Sequence, residues 1–417
     1  MAGFGRSKGE AGERWFQRVL LAGCLLVLAG LGLIALYLVL RPARPDDIYF
    51  ELQRQASFVY LGFWAAIALV GGLLALMRRT QFLALYVLLL IAAEGAAHVY
   101  FYAHNGWFYH PISPVLLTRF EPHPLLVGVP HPGTYGPVTH DEDHHRRTWN
   151  EGKSPNPTLI AALGGSTTYD IGNADDATWP SDLSKLLGKD YAVENLGVPG
   201  YSSLENLIQS LFAFRDRRPA CAIYYVGWND LHTAHVKDLR SDYSDYQLPS
   251  QIGNLAVGRR SGFLENNMLL LRMILSVFAT PERQAQGRMS GESDPRLSQI
   301  FSENMRLIAD IDRHFGVKSI FVPQVLDYAR FKEAGSSGWI PLVPDKDVKT
   351  VMQALNQDLA AVAKETGTLF LDKPLSVAWQ NSDFVDQGHF SAAGAKKFAE
   401  AIAGDIAANC QPEPGAQ

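Results

Sequence analysis

Charged residues and cysteines are both scarce in this chain. Lys, Arg, Asp and Glu make up 19% of its 417 residues, against roughly 25% in ordinary soluble proteins. The formal net charge of −5 provides no basic footprint, so no nucleic-acid partner is expected. The three cysteines, Cys24, Cys221 and Cys410, lie far apart. They define neither a disulfide framework nor a zinc-binding spacing, and they indicate little about the compartment.

The shortage of charge is concentrated in the first 103 residues, which contain three apolar stretches. Residues 19–40 carry no charge and are long enough, as a helix, to cross a hydrocarbon core of roughly 30 Å. Residues 58–77 and 82–103 are the second and third stretches. A signal peptide is the competing interpretation of the first stretch, but its apolar core would be only about 7–15 residues long. We predict an N-terminal membrane region over residues 1–103 with three transmembrane helices.

Lysines and arginines near these stretches favour one orientation. Six lie before the first stretch or between the second and third, and three lie between the first and second: Arg6, Lys8, Arg14, Arg18, Arg78 and Arg79 against Arg41, Arg44 and Arg54. Because basic loops stay in the cytoplasm, we expect the amino terminus inside. Three crossings of the cytoplasmic (inner) membrane then place everything after residue 103 on the extracytoplasmic, periplasmic side.

Two ionisable residues occur within the third stretch. Glu94 and His98 are four residues apart and therefore lie on one helix face. Ionisable side chains in a span face the bundle interior or a polar cavity. A proton relay or an acyl-handling site is one interpretation, and a hydrogen-bonded pair between helices near the interface is the one we favour.

Residues 104–157 carry many prolines, aromatics and polar residues without lasting periodicity, so an extracytoplasmic connector is predicted there. Residues 140–147 within it contain three histidines, His140, His144 and His145, among acidic and basic neighbours. Adjacent residues in a loop seldom converge on one metal ion. A solvated polar loop is therefore expected, and no metal.

From residue 158 to residue 410, short apolar runs alternate with longer amphipathic ones, which predicts a parallel sheet covered by helices. Residues 231–294 break the alternation, as a lid or docking element beside the site or as a helical excursion that fills a gap. Ser203 and Ser391 are expected to cap helices. The strands are predicted at Leu159–Leu163, Tyr191–Glu194, Ala220–Val226, Ser319–Val322 and Leu369–Leu371, and the helices at Pro180–Leu187, Ser203–Arg215, Pro295–Phe315, Lys346–Thr366 and Ala392–Ala408.

Four polar segments follow predicted strands or precede the last helix. They are Gly164–Thr167, Asn195–Ser202, Gly227–Asp230 and Asp386–His389. The carboxyl ends of parallel strands are where open α/β sheets bind ligands. Each segment alone also fits a structural role, such as a glycine turn, a loop aspartate or a capping histidine. The occurrence of all four in this order is better explained by a catalytic site.

The residue types in these segments are those of nucleophilic acyl chemistry. Ser166 is the candidate nucleophile, His389 the base that takes its proton, and Asp386 the carboxylate that orients the ring. The candidate oxyanion donors are the backbone N–H groups of Ser166 and Gly200 and the side-chain amide of Asn229.

In these four segments the sequence resembles the SGNH hydrolase superfamily, the GDSL-type esterases. Gly164-Gly165-Ser166 matches the Gly-Asp-Ser block, with Gly165 where the aspartate usually stands. Gly200, Gly227–Asp230 and Asp386–His389 match the other three blocks, and Trp179-Pro180 is also similar to family members. The resemblance implies a three-layer, flavodoxin-like α/β fold, a Ser-His-Asp triad and ester hydrolysis on lipids or acylated carbohydrates. No cofactor is expected. Without the aspartate, Thr167 or Thr168 is the candidate brace of the serine turn.

Three hypotheses for function follow. The first is a membrane-anchored serine esterase that removes O-acyl groups, acetyl above all, from a cell-surface or secreted polysaccharide, or that hydrolyses a lipid ester. The second is a polysaccharide O-acyltransferase that uses the same triad. Some acetyltransferases similar to this superfamily carry Asp-x-His before the serine, whereas the pair here follows it. The third is a non-catalytic carbohydrate-binding assembly subunit, which the complete set of site residues disfavours.

Overall fold

A computed structural model of the chain describes all residues except 1–3, 42–47, 106–107, 112, 114, 116–118, 235, 237–238, 245–261, 279–294, 332–344 and 412–417. The chain forms two compact units. The first, here called the membrane unit, comprises residues 1–44, 51–114 and 261–280, and the second, here called the α/β unit, comprises residues 45–50, 115–260 and 281–417.

The described residues form three long helices up to residue 105, and strands and helices follow from residue 120. The sequence of elements is α1 Phe4–Leu40, α2 Ile48–Leu76, α3 Gln81–Asn105, β1 Phe120–Glu121, β2 Val129–Pro130, β3 Gly133–Tyr135, β4 Val138–His140, β5 Thr158–Gly164, α4 Ser166–Tyr169, α5 Trp179–Leu187, β6 Tyr191–Asn195, α6 Ser203–Asp216, β7 Cys221–Tyr225, α7 Trp228–Leu231, α8 Phe263–Asn267, α9 Leu269–Phe278, α10 Arg296–Phe315, β8 Lys318–Val322, α11 Asp345–Thr366, β9 Leu369–Phe370 and α12 Ala392–Asn409.

The membrane unit is built on α1, α2 and α3. Within the described residues, three helical segments are long and apolar enough to cross a membrane: Ala11–Leu40, Phe50–Leu76 and Arg78–Ala103. They contain the three stretches predicted from the sequence except for Met77, the last residue of the second stretch. The helices approach closely at Gly71 of α2, where a Cβ atom would lie 2.9 Å from Cγ1 of Val87 and 3.3 Å from Sγ of Cys24. Small residues at such positions let membrane helices pack backbone to backbone.

The membrane unit also includes part of the segment predicted as an insertion. Helices α8 and α9 belong to it, although they are separated in sequence from α3 by more than 150 residues. The sequence pattern placed this segment beside the site or in a gap, and it did not connect the segment with the apolar N-terminal helices. Residues 245–261 and 279–294 of the predicted insertion lie outside the described residues.

The α/β unit contains a five-stranded parallel sheet in the order β6-β5-β7-β8-β9. Numbered along the sheet-forming strands alone, this is the 2-1-3-4-5 order of flavodoxin-like folds. Strand β5, which pairs with β6 on one side and β7 on the other, contains the apolar run Leu159–Leu163 because both of its faces are covered. Ile160 and Ala162 belong to one core with Trp179, whereas Ala161 and Leu163 belong to the opposite one. The predicted three-layer α/β fold is therefore confirmed, with all five predicted strands and all five predicted helices present.

The caps of two helices show where the local prediction is wrong and where it is right. The amino terminus of α6 is capped by Ser202 and not by Ser203, because Ser202 accepts a hydrogen bond from the N–H of Leu204 and forms a capping box with Glu205. The hydroxyl of Ser203 instead donates to Asp230 over 2.5 Å. Ser391 caps α12 as predicted.

The predicted connector is, from residue 115, part of the α/β unit. It forms the antiparallel pairs β1-β2 and β3-β4. The expectation of a solvated loop at residues 140–147 is wrong at His140 and Arg146, which are buried. His140 Nε2 lies 2.8 Å from the hydroxyl of Tyr169, and burial lowers the pKa of His140 to about 4. Among the residues that the structure describes, no group of histidine, cysteine or acidic side chains is arranged to hold a metal ion.

Cys221 at the start of β7 and Cys410 after α12 form a disulfide across 189 residues of sequence, with their Cα atoms 5.7 Å apart. The expectation that the cysteines define no disulfide framework is therefore wrong for this pair. Neither the spacing nor the local sequence marks the two residues, because only the packing of α12 against the sheet brings them together.

Candidate active site

Ser166 lies two residues after the last residue of β5, and the turn between them requires glycine at position 164. Gly164 has φ +154°, and a Cβ atom on it would lie 2.2 Å from the Thr168 hydroxyl and 2.4 Å from the carbonyl oxygen of Tyr225. The chain then enters the short helix α4, whose first residue is Ser166. The N–H groups in a first helical turn have no intrahelical acceptor. The Ser166 N–H is therefore of the right kind to stabilise an anion beside the Ser166 side chain.

Threonine and tryptophan side chains brace this turn in place of the missing aspartate. The hydroxyl of Thr168 lies 3.3 Å from the carbonyl oxygens of both Leu163 and Tyr225. The indole N–H of Trp179 donates to the carbonyl oxygen of Thr167 over 3.1 Å. Of the two threonines proposed from the sequence, Thr168 holds the backbone of the turn, whereas the Thr167 hydroxyl donates to a side chain outside it, at 3.4 Å.

A buried arginine fixes the far end of the same turn. Arg146 donates to the carbonyl oxygens of Tyr169 at 2.6 Å, Asp170 at 2.8 Å and Asn173 at 2.5 Å. Asp170 itself adopts a left-handed conformation with φ 63°, and its carboxyl accepts from the N–H of Trp179 over 2.9 Å. Burial raises the pKa of Asp170 to about 7. Arg146 is not among the predicted site residues, because its partners are backbone groups with no sequence signature.

His389 and Asp386 lie in a loop that is closed by a hydrogen bond from the N–H of Val385 to the carbonyl of His389. His389 Nε2 lies 2.7 Å from Ser166 Oγ, and His389 Nδ1 lies 2.7 Å from Asp386 Oδ2. The other oxygen of Asp386 accepts from the N–H groups of Gly388 at 2.9 Å and His389 at 2.8 Å. The three side chains predicted as nucleophile, base and orienting carboxylate thus form one hydrogen-bonded chain.

The surroundings of Asp386 favour its ionised form. Burial opposes ionisation, but the charge and the ring N–H of His389, together with the two backbone N–H donors, outweigh it and lower the pKa of Asp386. An ionised Asp386 holds the proton of His389 on Nδ1, which leaves Nε2 free to accept the proton of Ser166. Burial lowers the pKa of a second histidine, His232, to about 4, and the charge of His389 acts in the same direction.

The predicted oxyanion donors lie on three segments, two of which meet at Gly165. A Cβ atom at Gly165 would lie 2.3 Å from Nδ2 of Asn229 and 3.0 Å from the carbonyl oxygen of Tyr201. The same amide nitrogen donates to the Tyr201 carbonyl over 2.9 Å. Gly200, which precedes Tyr201, has φ +91°. The glycine in place of the block's aspartate therefore leaves room for the Asn229 amide beside Ser166.

Asp230, the neighbour of Asn229, anchors this segment. Its carboxylate accepts from the N–H and the hydroxyl of Ser203 and from the hydroxyl of Tyr243 over 2.9 Å. Burial raises the pKa of Asp230. The sequence placed Asp230 in a motif segment but assigned it no role. In the structure its side chain fixes α7, which carries Asn229.

No protein-family model matches the sequence, and no curated protein matches it. Among solved structures, the chain is similar to the lipase/acylhydrolase from Enterococcus faecalis, with 16% identity over 62% of this chain and 99% of that one, at a TM-score of 0.36. It is also similar to a variant of Axe2, an acetyl xylan esterase from Geobacillus stearothermophilus (14% identity, 60% and 95% coverage, TM-score 0.35). A G-D-S-L family protein from Desulfitobacterium hafniense matches at 13% identity, 59% and 98% coverage and a TM-score of 0.36. This likeness concerns the fold alone.

Proposed function

We propose that the chain is a membrane-anchored serine esterase that hydrolyses acyl esters. In this proposal, residues 1–103 anchor the protein and residues 158–410 form the catalytic domain. Ser166 attacks the ester carbonyl, His389 takes the Ser166 proton and later gives it to the leaving alcohol, and Asp386 orients the ring. The resulting acyl-enzyme is then hydrolysed by a water molecule that His389 deprotonates.

The observation that carries the proposal is the unbroken chain from Asp386 through His389 to Ser166, with 2.7 Å at both hydrogen bonds of the ring. The serine and the aspartate come from two loops 220 residues apart in sequence. A purely structural function would not require the two ring nitrogens to be matched with a carboxylate on one side and a helix-terminal hydroxyl on the other. The same arrangement disfavours a non-catalytic carbohydrate-binding subunit.

The proposed location is the extracytoplasmic side of the cytoplasmic membrane. The distribution of basic residues supports this orientation. The disulfide between Cys221 and Cys410 supports it independently, because such bonds persist in oxidising compartments and are rare in the cytoplasm. The substrates that can be met there are acyl esters of a cell-surface or secreted polysaccharide and esters of membrane lipids. We propose the O-acetylated polysaccharide as the first class to test.

The test is the release of small molecules from defined esters by the full-length protein in detergent. O-acetylated xylan and a diacyl lipid are incubated with wild type and with Ser166→Ala, and free acetate and fatty acid are measured. We expect acetate from the glycan with wild type and none above background with Ser166→Ala. Fatty acid alone would move the substrate to lipid. Equal release by both proteins would contradict the serine mechanism.

Transfer in place of hydrolysis is an outcome of the same experiment. An added oligosaccharide without acetyl groups competes with water for the acyl-enzyme. If the oligosaccharide gains acetyl groups faster than free acetate accumulates, and if Ser166→Ala abolishes this gain, the protein is an acyltransferase.

A further inference from the structure

A cluster of polar side chains lies within the membrane unit and has no place in the chemistry of Ser166. Glu94 of α3 is buried. The hydroxyl of Tyr60, on α2, donates to Glu94 and also lies 2.7 Å from Nε2 of His98. The pair predicted from the sequence is therefore joined to a neighbouring helix by a tyrosine. A carboxylate in a membrane span has a high free energy unless it is paired. The remaining hydrogen-bond partners of Glu94 therefore show what stabilises it.

Those partners are two backbone groups at the beginning of α9. The carboxylate of Glu94 accepts from the N–H of Leu269 at 2.7 Å and from the N–H of Leu270 at 3.0 Å, one to each oxygen. The first N–H groups of a helix lack intrahelical acceptors, and this end of the helix dipole attracts a negative charge. Glu94 thus satisfies the amino terminus of α9, and α9 supplies two of the donors that Glu94 needs.

Other polar and aromatic contacts hold α8 and α9 to the same unit. The indole of Trp64 donates to the carbonyl oxygen of Asn267 over 3.0 Å. Arg272 of α9 donates to the hydroxyl of Tyr109 over 2.9 Å. The ring of Phe263 packs edge to face on that of Phe63, with centroids 5.6 Å apart.

The same two helices also expose large apolar side chains. Phe263, Leu264, Ile274 and Leu275 have 42–61% of their surface exposed. Soluble proteins seldom leave such a patch uncovered. The same unit contains three candidate membrane spans, whose exposed residues are also apolar. At 10 residues, α9 is about 15 Å long, which is too short to cross a bilayer.

We propose that residues 263–278 are a fourth membrane-associated element, an interfacial segment that Glu94 fixes to the spans and whose exposed apolar side chains contact lipid. Glu94 lies nine residues before the end of its span, and Tyr60 lies ten residues after the beginning of the preceding one. Both therefore lie toward the same membrane face. This face is extracytoplasmic in the proposed orientation. The chain between β7 and β8 consequently returns to the membrane before it completes the sheet.

Lipid contact is tested with a fluorescent bimane label in nanodiscs that contain phosphatidylcholine brominated on its acyl chains. The labelled variants are Ile274→Cys and Leu275→Cys in full-length protein with Cys24→Ala, because Cys24 is outside the disulfide. Leu69→Cys in α2 is the reference for a span, and Leu375→Cys in the α/β unit is the reference for an aqueous surface. We expect quenching at 274 and 275 to be closer to that at 69 than to that at 375.

Two results would overturn lipid contact. One is the absence of quenching with rapid labelling by a water-soluble maleimide, which would place the helix in water. The other is the absence of quenching with no maleimide reaction, which would mean that protein, a second copy included, covers these side chains.

The role of Glu94 is tested by hydrogen exchange of residues 263–278 in the same nanodiscs. Glu94→Gln removes the charge and one acceptor oxygen, so we expect exchange in this segment to accelerate about tenfold or more. Glu13→Gln is the matched control, because Glu13 pairs with Arg78 in the same unit, away from the Glu94 cluster. Unchanged exchange in Glu94→Gln would contradict the anchoring role, even if the labels show lipid contact.

Discussion

Two clusters in this chain contain the same three chemical groups, a hydroxyl, an imidazole and a carboxylate. They are Ser166, His389 and Asp386 in the α/β unit, and Tyr60, His98 and Glu94 in the membrane unit. In both, the histidine follows the carboxylate within about one helical turn of sequence, at three or four residues. On composition and spacing alone, either cluster is a candidate proton-transfer site.

The clusters differ in which group lies in the middle. In the α/β unit the imidazole is central, and its two nitrogens meet different partners at 2.7 Å each. In the membrane unit the tyrosine hydroxyl is central, and the nearest distance between Glu94 and His98 is 3.7 Å. Glu94 is also engaged by two backbone N–H groups. A central base can take a proton from the hydroxyl, whereas a hydroxyl that already donates to a carboxylate is held in a fixed structure.

Ser166→Ala should have the largest effect of any single change at either cluster. Removal of the nucleophile is expected to lower kcat for p-nitrophenyl acetate on the order of 10⁴–10⁶-fold. Tyr60→Phe is the matching removal of a hydroxyl in the other cluster. It should leave kcat within about twofold of the wild-type value, since the Tyr60 hydroxyl bonds to Glu94 and His98 in the membrane unit. Steady-state kinetics on both variants checks the comparison. A comparable loss in Tyr60→Phe would mean that the two clusters are coupled.

Asp386→Asn and Glu94→Gln distinguish the catalytic role proposed for Asp386 from the anchoring role proposed for Glu94. An amide at this position holds the wrong tautomer of His389, so kcat should fall about 10⁴-fold while the fold is retained. Glu94→Gln should hydrolyse the ester at the wild-type rate. Near-ultraviolet circular dichroism shows whether Asp386→Asn keeps its fold, so that a loss of activity can be attributed to the tautomer of His389. Wild-type activity in Asp386→Asn would show that the carboxylate has no catalytic role.

Asn229→Ala tests the proposed oxyanion donor. Loss of one such donor typically costs about 2.7–4 kcal/mol of transition-state stabilisation, so we expect a fall in kcat of about 10²–10³-fold with little change in KM. A change confined to KM would indicate that the amide binds the ground state and not the developing anion.

Gly165→Ala should lower kcat in the same way as Asn229→Ala, but to a smaller extent and with the Asn229 side chain still present. The added methyl group would lie 2.3 Å from the Asn229 amide nitrogen, which must move away. We expect kcat to fall between about tenfold and 10²-fold, less than with Asn229→Ala, because the donor is displaced and not removed. Gly404→Ala is the matched control, since a Cβ atom there meets no other atom within 4 Å.

The stability of the α/β unit should depend on pH because of its buried carboxyls. Burial raises the pKa of Asp170, Glu205 and Asp312 to about 7, whereas in the unfolded chain these groups ionise near pH ~4. The folded state therefore binds more protons between about pH 4 and 7. Each carboxyl then lowers the free energy of unfolding by up to about 1.4 kcal/mol per pH unit as pH rises through this window, with no further change above it.

Asp386 has the opposite effect on stability, because its pKa is lowered in the folded state. Its contribution to the free energy of unfolding is lost as pH falls through this lowered pKa. Urea unfolding of the full chain in detergent at about pH 5, 6, 7 and 8 measures the combined effect of Asp170, Glu205 and Asp312, because Asp386 stays ionised over this range. Asp312→Asn should flatten the decline by the share of one carboxyl. Stability that rises steadily from about pH 5 to pH 7 would contradict the assignment.

The α/β unit was more predictable from sequence than the membrane unit, for a physical reason. A strand buried on both faces must be a continuous apolar run, and Leu159–Leu163 is one, so β5 could be recognised locally. The parallel topology then requires the polar segments at strand ends to meet at one edge. Ser166, Gly200 and Asn229 could therefore be expected at one edge of the sheet, whereas His389, in the segment before α12, was assigned from its chemistry as a base.

The parts that escaped prediction depend on contacts between distant segments. The Cys221–Cys410 disulfide and the carbonyl contacts of buried Arg146 leave no periodic or local signature. The attachment of α9 to Glu94 uses backbone N–H groups, which every residue except proline carries. The hydroxyl of Ser203, which the sequence pattern made the cap of α6, donates instead to Asp230, a residue of another segment.

The most direct test of the central claim is to locate a covalent adduct. The full-length protein is treated with a fluorophosphonate, digested and mapped by mass spectrometry, with His389→Ala treated in parallel. We predict one adduct per chain, on Ser166, and its near absence in His389→Ala because the unassisted hydroxyl is a poor nucleophile. An adduct on a different residue, or labelling of Ser166 at the same rate without His389, would contradict a serine activated by this histidine.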